Sequence, residues 1–189
     1  MEAAVQPARK RWTYEEYARL DDNRRYEIIG GDLLAAPAPE LRQRRLTRQL
    51  FLAVDRRVKR GKLGEVHFAP VDVILDISNV VQPDLVFVSK DRVRLLKKEG
   101  IQGSPDLVAE IVFGPTAEHN RQIKKTLYER FGVKEYWLVD PAKASFEVFA
   151  LRDGQYQPLC SAVERGKIHS EVLPGFILEI LGMFPSGPA

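Results

Sequence analysis

The chain is poor in the residues that build disulfides and zinc sites: one cysteine, Cys160, and three histidines, His67, His119 and His169, in 189 residues. An internal disulfide is thereby excluded, no Cys/His cluster of the zinc type can be assembled, and any metal must rest on oxygen ligands. Long apolar runs are missing too. No stretch approaches the ~20 residues that cross a bilayer, and the segment from Met1 to Arg11 lacks the charged-then-apolar pattern of a secretory leader. We therefore expect no membrane partner and a cytoplasmic location. No glycine-rich loop opens a helix as a nucleotide cradle, and no Ser or Cys stands with a convincing His partner for nucleophilic catalysis. With 44% hydrophobic and 29% charged residues, a chain of this length has room for one full core.

The net charge of +3 hides an uneven distribution. Residues 42–62 hold nine basic side chains against one acidic, Asp55, which gives this stretch +8 and leaves −5 for the remainder. On a helical wheel Leu46, Leu50, Ala53, Val54 and Val58 share one side, while Arg44, Arg45, Arg48, Arg56 and Lys59 cover the other with Arg60 at the border; Arg57 alone breaks the pattern. Such a face is either a solvated helix surface or a binding surface for phosphates.

The rest alternates between apolar strands and amphipathic helices, with no internal repeat. Thr13 caps a short helix reaching Leu20, with Glu16 completing a capping box. Tyr26 to Ile29 and Asp32 to Ala35 flank Gly30-Gly31 as a tight hairpin. Strands are expected at 66–69, 71–75, 85–88, 107–113 and 135–139, with helical connections at 91–100 and 117–131. A hairpin over 145–161 and short strands over 168–180 close the chain. The pattern implies an α/β sandwich around one mixed sheet.

Three charged residues fall where charge is expensive. Glu110 sits inside the apolar run Leu107 to Phe113, Asp84 opens the apolar stretch Leu85 to Val88, and Lys124 lies within the apolar arc of Ile123, Leu127, Tyr128 and Phe131 on a helix. An unpaired buried carboxylate costs several kcal/mol or more. Glu110 and Lys124 alone are equally well read as a structural ion pair, and Asp84 alone as a turn former after Pro83. Together, two carboxylates and an amine converging on a sheet point to a metal site. Asp72, alternating with Val71 and Val73, is expected at an edge or facing solvent, and Tyr136 and Trp137 are expected to pack within their strand.

Gln82-Pro83-Asp84 followed by Glu110 resembles the Pro-Asp then Glu-x-Lys pattern of the PD-(D/E)XK, or restriction-endonuclease-like, superfamily. More specifically, the chain resembles the Uma-two family of endonucleases. The blocks that carry the resemblance are Tyr26 to Leu33, Ala69 to Val73, Gln82 to Leu85, Pro105 to Glu110 and, above all, Tyr128 to Pro141. The resemblance spans roughly Tyr14 to Phe184 and implies a restriction-endonuclease-like mixed β-sheet flanked by helices, with extra β-hairpins at both ends. The expected organisation is a flexible tail over 1–12, one domain over 13–184 and a short tail over 185–189. The implied activity is metal-dependent endonucleolytic hydrolysis of phosphodiester bonds in DNA, with DNA ahead of RNA as partner. The implied ligands of Mg2+ or Mn2+ are Asp84 and Glu110, with Lys124 and Glu27 as further catalytic residues, although Glu27 taken alone reads as an exposed strand residue.

Arg44, Arg45, Arg48, Arg56, Lys59 and Arg60 then become the nucleic-acid-binding face, and a homodimer suits an enzyme that cuts two strands. Four departures separate the chain from the family pattern. Val112 stands where the superfamily has lysine, so that Lys124 must supply the amine; Asn120 stands where relatives often carry Asp; Phe113-Gly114-Pro115 replaces Ser-Pro-Ser; and Arg42 stands near a position where relatives tend to have His. The alternative is a catalytically silent nucleic-acid-binding module with a nuclease-like fold.

Overall fold

The computed structural model describes residues 10–36, 38–112 and 117–184. Residues 1–9 and 185–189 of the expected tails, Phe113, Gly114 and Pro115, and the Asn120 side chain lie outside the described residues. From Trp12 onward the chain is tied down: the Trp12 amide donates to the Gly31 carbonyl at 2.7 Å and the Tyr14 amide to the Ile77 carbonyl at 2.8 Å. The predicted capping box is present around the single turn α1 (Tyr14–Tyr17), Thr13 and Glu16 each accepting from the other's amide.

Strands β1 (Arg25–Ile29) and β2 (Asp32–Ala36) pair antiparallel with Ile29 opposite Asp32. Gly30 and Gly31 turn between them at φ 58° and 82°, a left-handed pair that favours residues without a Cβ. Helix α2 (Leu41–Gly61) buries Leu46, Leu50, Val54 and Val58 as its heptad-like spacing predicts, each side chain contributing about 1.5–3 kcal/mol. Arg57, the one residue out of pattern, donates to the Pro174 carbonyl and so pins the C-terminal loop.

The strands expected in one sheet are divided between two. The first runs β12-β11-β10-β9-β6-β3, formed by β3 (Gly64–Phe68), β6 (Leu85–Ser89), β9 (Leu107–Ile111), β10 (Glu135–Asp140), β11 (Ser145–Arg152) and β12 (Gln155–Val163). The second runs β2-β1-β5-β4-β8-β7 and adds β4 (Val73–Asp76), β5 (Asn79–Val81), β7 (Leu96–Lys97) and β8 (Gly100–Gln102) to the N-terminal hairpin. The four strands it adds span only two to four residues each. Asn79, in the middle of this sheet, helps hold it by accepting from the Gly30 amide and donating to Asp76, both at 2.8 Å. The helix expected over 91–100 is shorter than predicted: a 3-10 turn ends at Leu95 and the remainder is the β7-β8 hairpin, which Gly100 permits at φ 147°. At the C-terminus β13 (Lys167–His169) pairs with β14 (Ile177–Glu179).

Helix α3 (Ala117–Arg130) crosses between β9 and β10, which pair parallel with Glu110 opposite Leu138. The two faces of the first sheet have separate cores. Ala109, Ile111, Trp137 and Val139 pack with α2 and the C-terminal strands. Val108, Tyr136 and Leu138 pack with Leu127 and Tyr128 of α3 and with Val73 and Val81 of the second sheet. Glu110, two residues from Val108 on the same face, therefore looks toward α3 as expected.

Candidate active site

Register places the acids. In the antiparallel pair β6-β9, Leu85 faces Ala109 and Phe87 faces Leu107, so one residue further Asp84 stands beside Glu110. There the ladder stops, and Asp84 Oδ2 takes over by accepting the Ile111 amide at 2.8 Å. Its other oxygen accepts from Gln43 Nε2 at 2.9 Å, which joins the start of α2 to the start of β6. The turn-forming alternative for Asp84 does not describe this geometry, because the carboxylate reaches across to another strand and a helix.

Lys124 reaches down from α3 into three oxygens. Its Nζ lies 2.8 Å from Glu27 Oε1 and 3.1 and 3.3 Å from the two oxygens of Glu110. Tyr128, one helical turn on, donates its hydroxyl to Glu110 Oε1 at 2.6 Å. Glu27 Oε1 also accepts the Gln82 amide at 2.7 Å. Glu27 is buried, not exposed; it turns inward because β1 pairs with β5, with Ile28 opposite Val80, at the rim of the second sheet. All four residues, Asp84, Glu110, Lys124 and Glu27, line one cleft of about 580 Å³. Val112 also lines it, and the amine in the cleft comes from Lys124 on α3.

The cleft contains more charge than the lysine balances. Glu27, Asp84 and Glu110 share one ammonium, and with Glu40, Arg25 and Arg121 the lining of the cleft sums to −1 when every carboxyl is ionised. Burial, reinforced by the charges of Asp84 and Glu27 and opposed by Lys124, pushes the Glu110 carboxyl up to about 7. Burial also raises Asp84, against its hydrogen bonds from Ile111 and Gln43. Lys124 is held charged, its desolvation outweighed by Glu110 and Glu27. Since the folded Glu110 binds a proton that the unfolded chain releases above its ordinary 4.5, its contribution is complete below pH 4.5 and is lost as the pH rises through about 7. The loss is on the order of 3 kcal/mol. Urea unfolding in EDTA is expected to show a stability decline between pH 5 and 8 that Glu110→Gln removes; parallel curves for the two proteins would assign the decline elsewhere.

Other expected residues lie apart. Arg44, Arg45, Arg48, Arg56, Lys59 and Arg60 are all exposed on α2, on the opposite face of the sheet from α3, and only the start of that helix reaches the cleft, through Glu40 and Gln43. Lys59 is paired with Asp55 at 2.9 Å. Asp72 is half-buried. It accepts from Tyr17 at 3.0 Å and from Gln82 Nε2 at 2.7 Å, beside a separate cavity of about 400 Å³ on the far side of Gln82. Lys125, the neighbour of Lys124, lies over the Phe149 ring at 3.7 Å.

Sequence reasoning passed over Gln43, Gln82, Arg25, Arg121, Tyr128 and Tyr136, all within or around this cleft. A signal existed for two of them. Gln43 falls three and seven residues before Leu46 and Leu50, a polar residue on the buried stripe, and Tyr128 is four residues after Lys124 on the same helix face. The others depend on pairings between distant strands. Arg25 Nε donates to Gln82 Oε1 at 2.9 Å, and Arg121 meets Glu147 Oε1 at 2.5 Å.

Among the described residues no set of three or more His, Cys, Asp or Glu side chains is placed to hold a metal by itself. The donor set nevertheless fits a hard divalent cation of the Mg2+ kind, which takes one or two carboxylates and completes its shell with water and substrate oxygens. Among the described residues no helix is long and apolar enough to cross a membrane.

The fold is shared with a solved structure titled as that of "a putative nuclease belonging to DUF820" from Anabaena variabilis, at a TM-score of 0.73 and 15% identity, covering 91% of this chain and 97% of that one. Among curated proteins none matches the chain. The Uma2 family model, described as "Putative restriction endonuclease", matches residues 14–181, nearly the whole described fold and every residue of the carboxylate-lysine cleft, and the chain belongs to that family.

Proposed function

We propose that the chain is a Mg2+- or Mn2+-dependent endonuclease that hydrolyses phosphodiester bonds in DNA. The observation that carries this reading is the convergence of Asp84, Glu110, Glu27 and Lys124 from four separate elements on one cleft with a surplus of negative charge. A structural ion pair needs one carboxylate for one amine; a second and third acid beside it add repulsion that a cation relieves.

Asp84 and Glu110 would hold the cation, whose chemistry is to neutralise the scissile phosphate and activate the nucleophile. The remaining work falls to the chain. Gln43 and the Ile111 amide aim Asp84, and Tyr128 aims Glu110. Lys124, fixed by Glu27 and Glu110, presents an ammonium for the attacking water and for charge developing on the phosphoryl oxygens. As the water oxygen bonds to phosphorus, the P–O bond to the departing sugar oxygen breaks, and that oxygen takes up a proton.

Arg44, Arg45 and Arg48 stand in the first two turns of α2, whose start reaches the cleft only through Glu40 and Gln43, and Arg56, Lys59 and Arg60 continue the same exposed face for roughly 18 Å at 1.5 Å per residue. This face would hold the phosphate backbone. Replacing Arg45, Arg48 and Arg56 together by Gln is expected to weaken binding of unrelated duplexes alike and to reduce the slope of log Kd against log salt by about 2–3; an unchanged slope would remove this helix from the interface. Since the described residues form one such cleft, double-strand cutting would use two copies, and light scattering with and without DNA measures that.

The test of the function is cleavage of supercoiled plasmid and single-stranded DNA by the wild-type protein in Mg2+, Mn2+ or EDTA. Cutting with either metal and none in EDTA is expected. The Lys124 clamp on Glu27 and Glu110 also favours a second reading, a catalytically silent binding module, for which DNA would be held equally in metal and in EDTA and never cut.

A further inference from the structure

The tyrosine cluster under α3 contains one anomaly. Tyr128 donates its hydroxyl to Glu110 and Tyr156 donates to the Val133 carbonyl at 2.8 Å. Tyr136, packed between them with ring centroids 5.7 and 5.8 Å away and stacked on Phe149, is 0% exposed, and its hydroxyl meets no hydrogen-bond partner among the described residues. Yet Tyr136 lines the catalytic cleft. Phenylalanine would pack as well there without the penalty of an unmet polar group.

The strand register gives the row in which this tyrosine stands. Glu110, Leu138 and Glu147 form one row across β9, β10 and β11, and Tyr136 stands in the next row on the same face, between Val108 and Phe149. Above the row, α3 sets Lys124 on Glu110 and Arg121 on Glu147. Arg121, also a cleft residue, is one helical turn from Lys124, and the Glu147 contact at Nη2 holds its guanidinium in place. The planar guanidinium and the phenolic O–H are both donors, and a guanidinium matches the oxygens of a phosphate in geometry and charge.

We propose that Tyr136 Oη and the Arg121 guanidinium form a subsite on the α3 side of the cleft that receives a non-bridging oxygen of one nucleic-acid phosphodiester. This rests on the reading of the cleft as a nucleic-acid site, and it adds two substrate contacts to the acids and the lysine. Packing fixes the tyrosine ring, so the hydroxyl reads the position of a single phosphate.

The experiment is fluorescence anisotropy with labelled DNA duplexes in Ca2+, each duplex carrying a neutral methylphosphonate at a different linkage, using wild type, Tyr136→Phe, Arg121→Gln and Arg121→Lys. Each variant is expected to lose about tenfold or more in affinity, as for a hydrogen bond to a charged group. Wild type should lose affinity for the methylphosphonate at one linkage, and the Tyr136→Phe and Arg121→Gln proteins should be indifferent to it there. The Tm of Tyr136→Phe should be unchanged or raised, since the hydroxyl has no partner to lose. Variants that bind as wild type, or that show the same methylphosphonate profile, overturn the subsite.

The parallel plasmid assay separates the two readings. A wild-type protein that shows the linkage effect but never cuts in Mg2+ or Mn2+ keeps the subsite and loses the hydrolase. One that cuts, with Tyr136→Phe binding and cutting equally, keeps the hydrolase and loses the subsite. A wild-type protein that binds no duplex overturns both.

Discussion

Lys124→Met is expected to abolish cleavage and to destabilise the protein by about 3–5 kcal/mol at pH 8, the range for removing one partner of a buried ion pair. The physical reason is that Glu27, Asp84 and Glu110 remain, two of them within 3.1 Å of where the ammonium stood, with the Tyr128 hydroxyl and the Gln82 amide as the remaining direct donors to that pair. Protonation offers a partial escape because Glu110 titrates near 7 even with the lysine present. The deficit should therefore shrink between pH 8 and pH 5. Adding Glu110→Gln removes one orphaned charge and should recover a large part of the stability while leaving cleavage at background. Urea denaturation of the single and double variants at both pH values checks this. A Lys124→Met protein as stable as wild type at pH 8 would mean that the lysine does not neutralise these acids in solution.

Asp84→Asn is the complementary case, large in chemistry and small in stability. An amide keeps an oxygen for the Ile111 amide, and the Gln43 carboxamide can rotate to offer its own oxygen, so both hydrogen bonds of Asp84 have counterparts. Stability should stay within roughly 1 kcal/mol of wild type. What disappears is a full negative charge beside Glu110, and with it a ligand for the cation. Loss of several kcal/mol of transition-state stabilisation corresponds to about 10³-fold or more in cleavage rate. Single-turnover plasmid cleavage at saturating protein, together with Mn2+ titration calorimetry, reads both effects. Cleavage within a few-fold of wild type would take Asp84 out of metal binding.

The charged centre was visible in the sequence because each of its members violates a local pattern. Glu110 interrupts an apolar strand, Lys124 interrupts the apolar arc of α3, and Asp84 precedes a fully apolar β6; a charge that a two-residue or 3.6-residue period sends inward must find a partner there. Glu27 breaks no pattern so plainly and was reached through the family resemblance; its burial follows from where β1 lies against β5. Asp72 failed for a related reason. Its alternation with Val71 and Val73 assumed a strand covered on one face, whereas the chain enters β4 only at Val73 and Asp72 turns to Tyr17 and Gln82.

The α/β class, the amphipathic helix with its basic face, the order of most strands and the three residues whose charge is misplaced for their element were all legible in the chain before folding. These are properties of local periodicity, and periodicity is written in neighbouring residues. Tertiary structure decided that the strands form two sheets, that the basic face of α2 lies across the sheet from α3, and that Gln43 and Tyr128 orient the acids. It also left the buried hydroxyl of Tyr136, a residue of the cleft lining, without a partner among the described residues. Those outcomes depend on register and packing between segments far apart in the chain, where a shift of one residue turns a side chain to the other face, and no local pattern records which of the possible pairings the fold adopts.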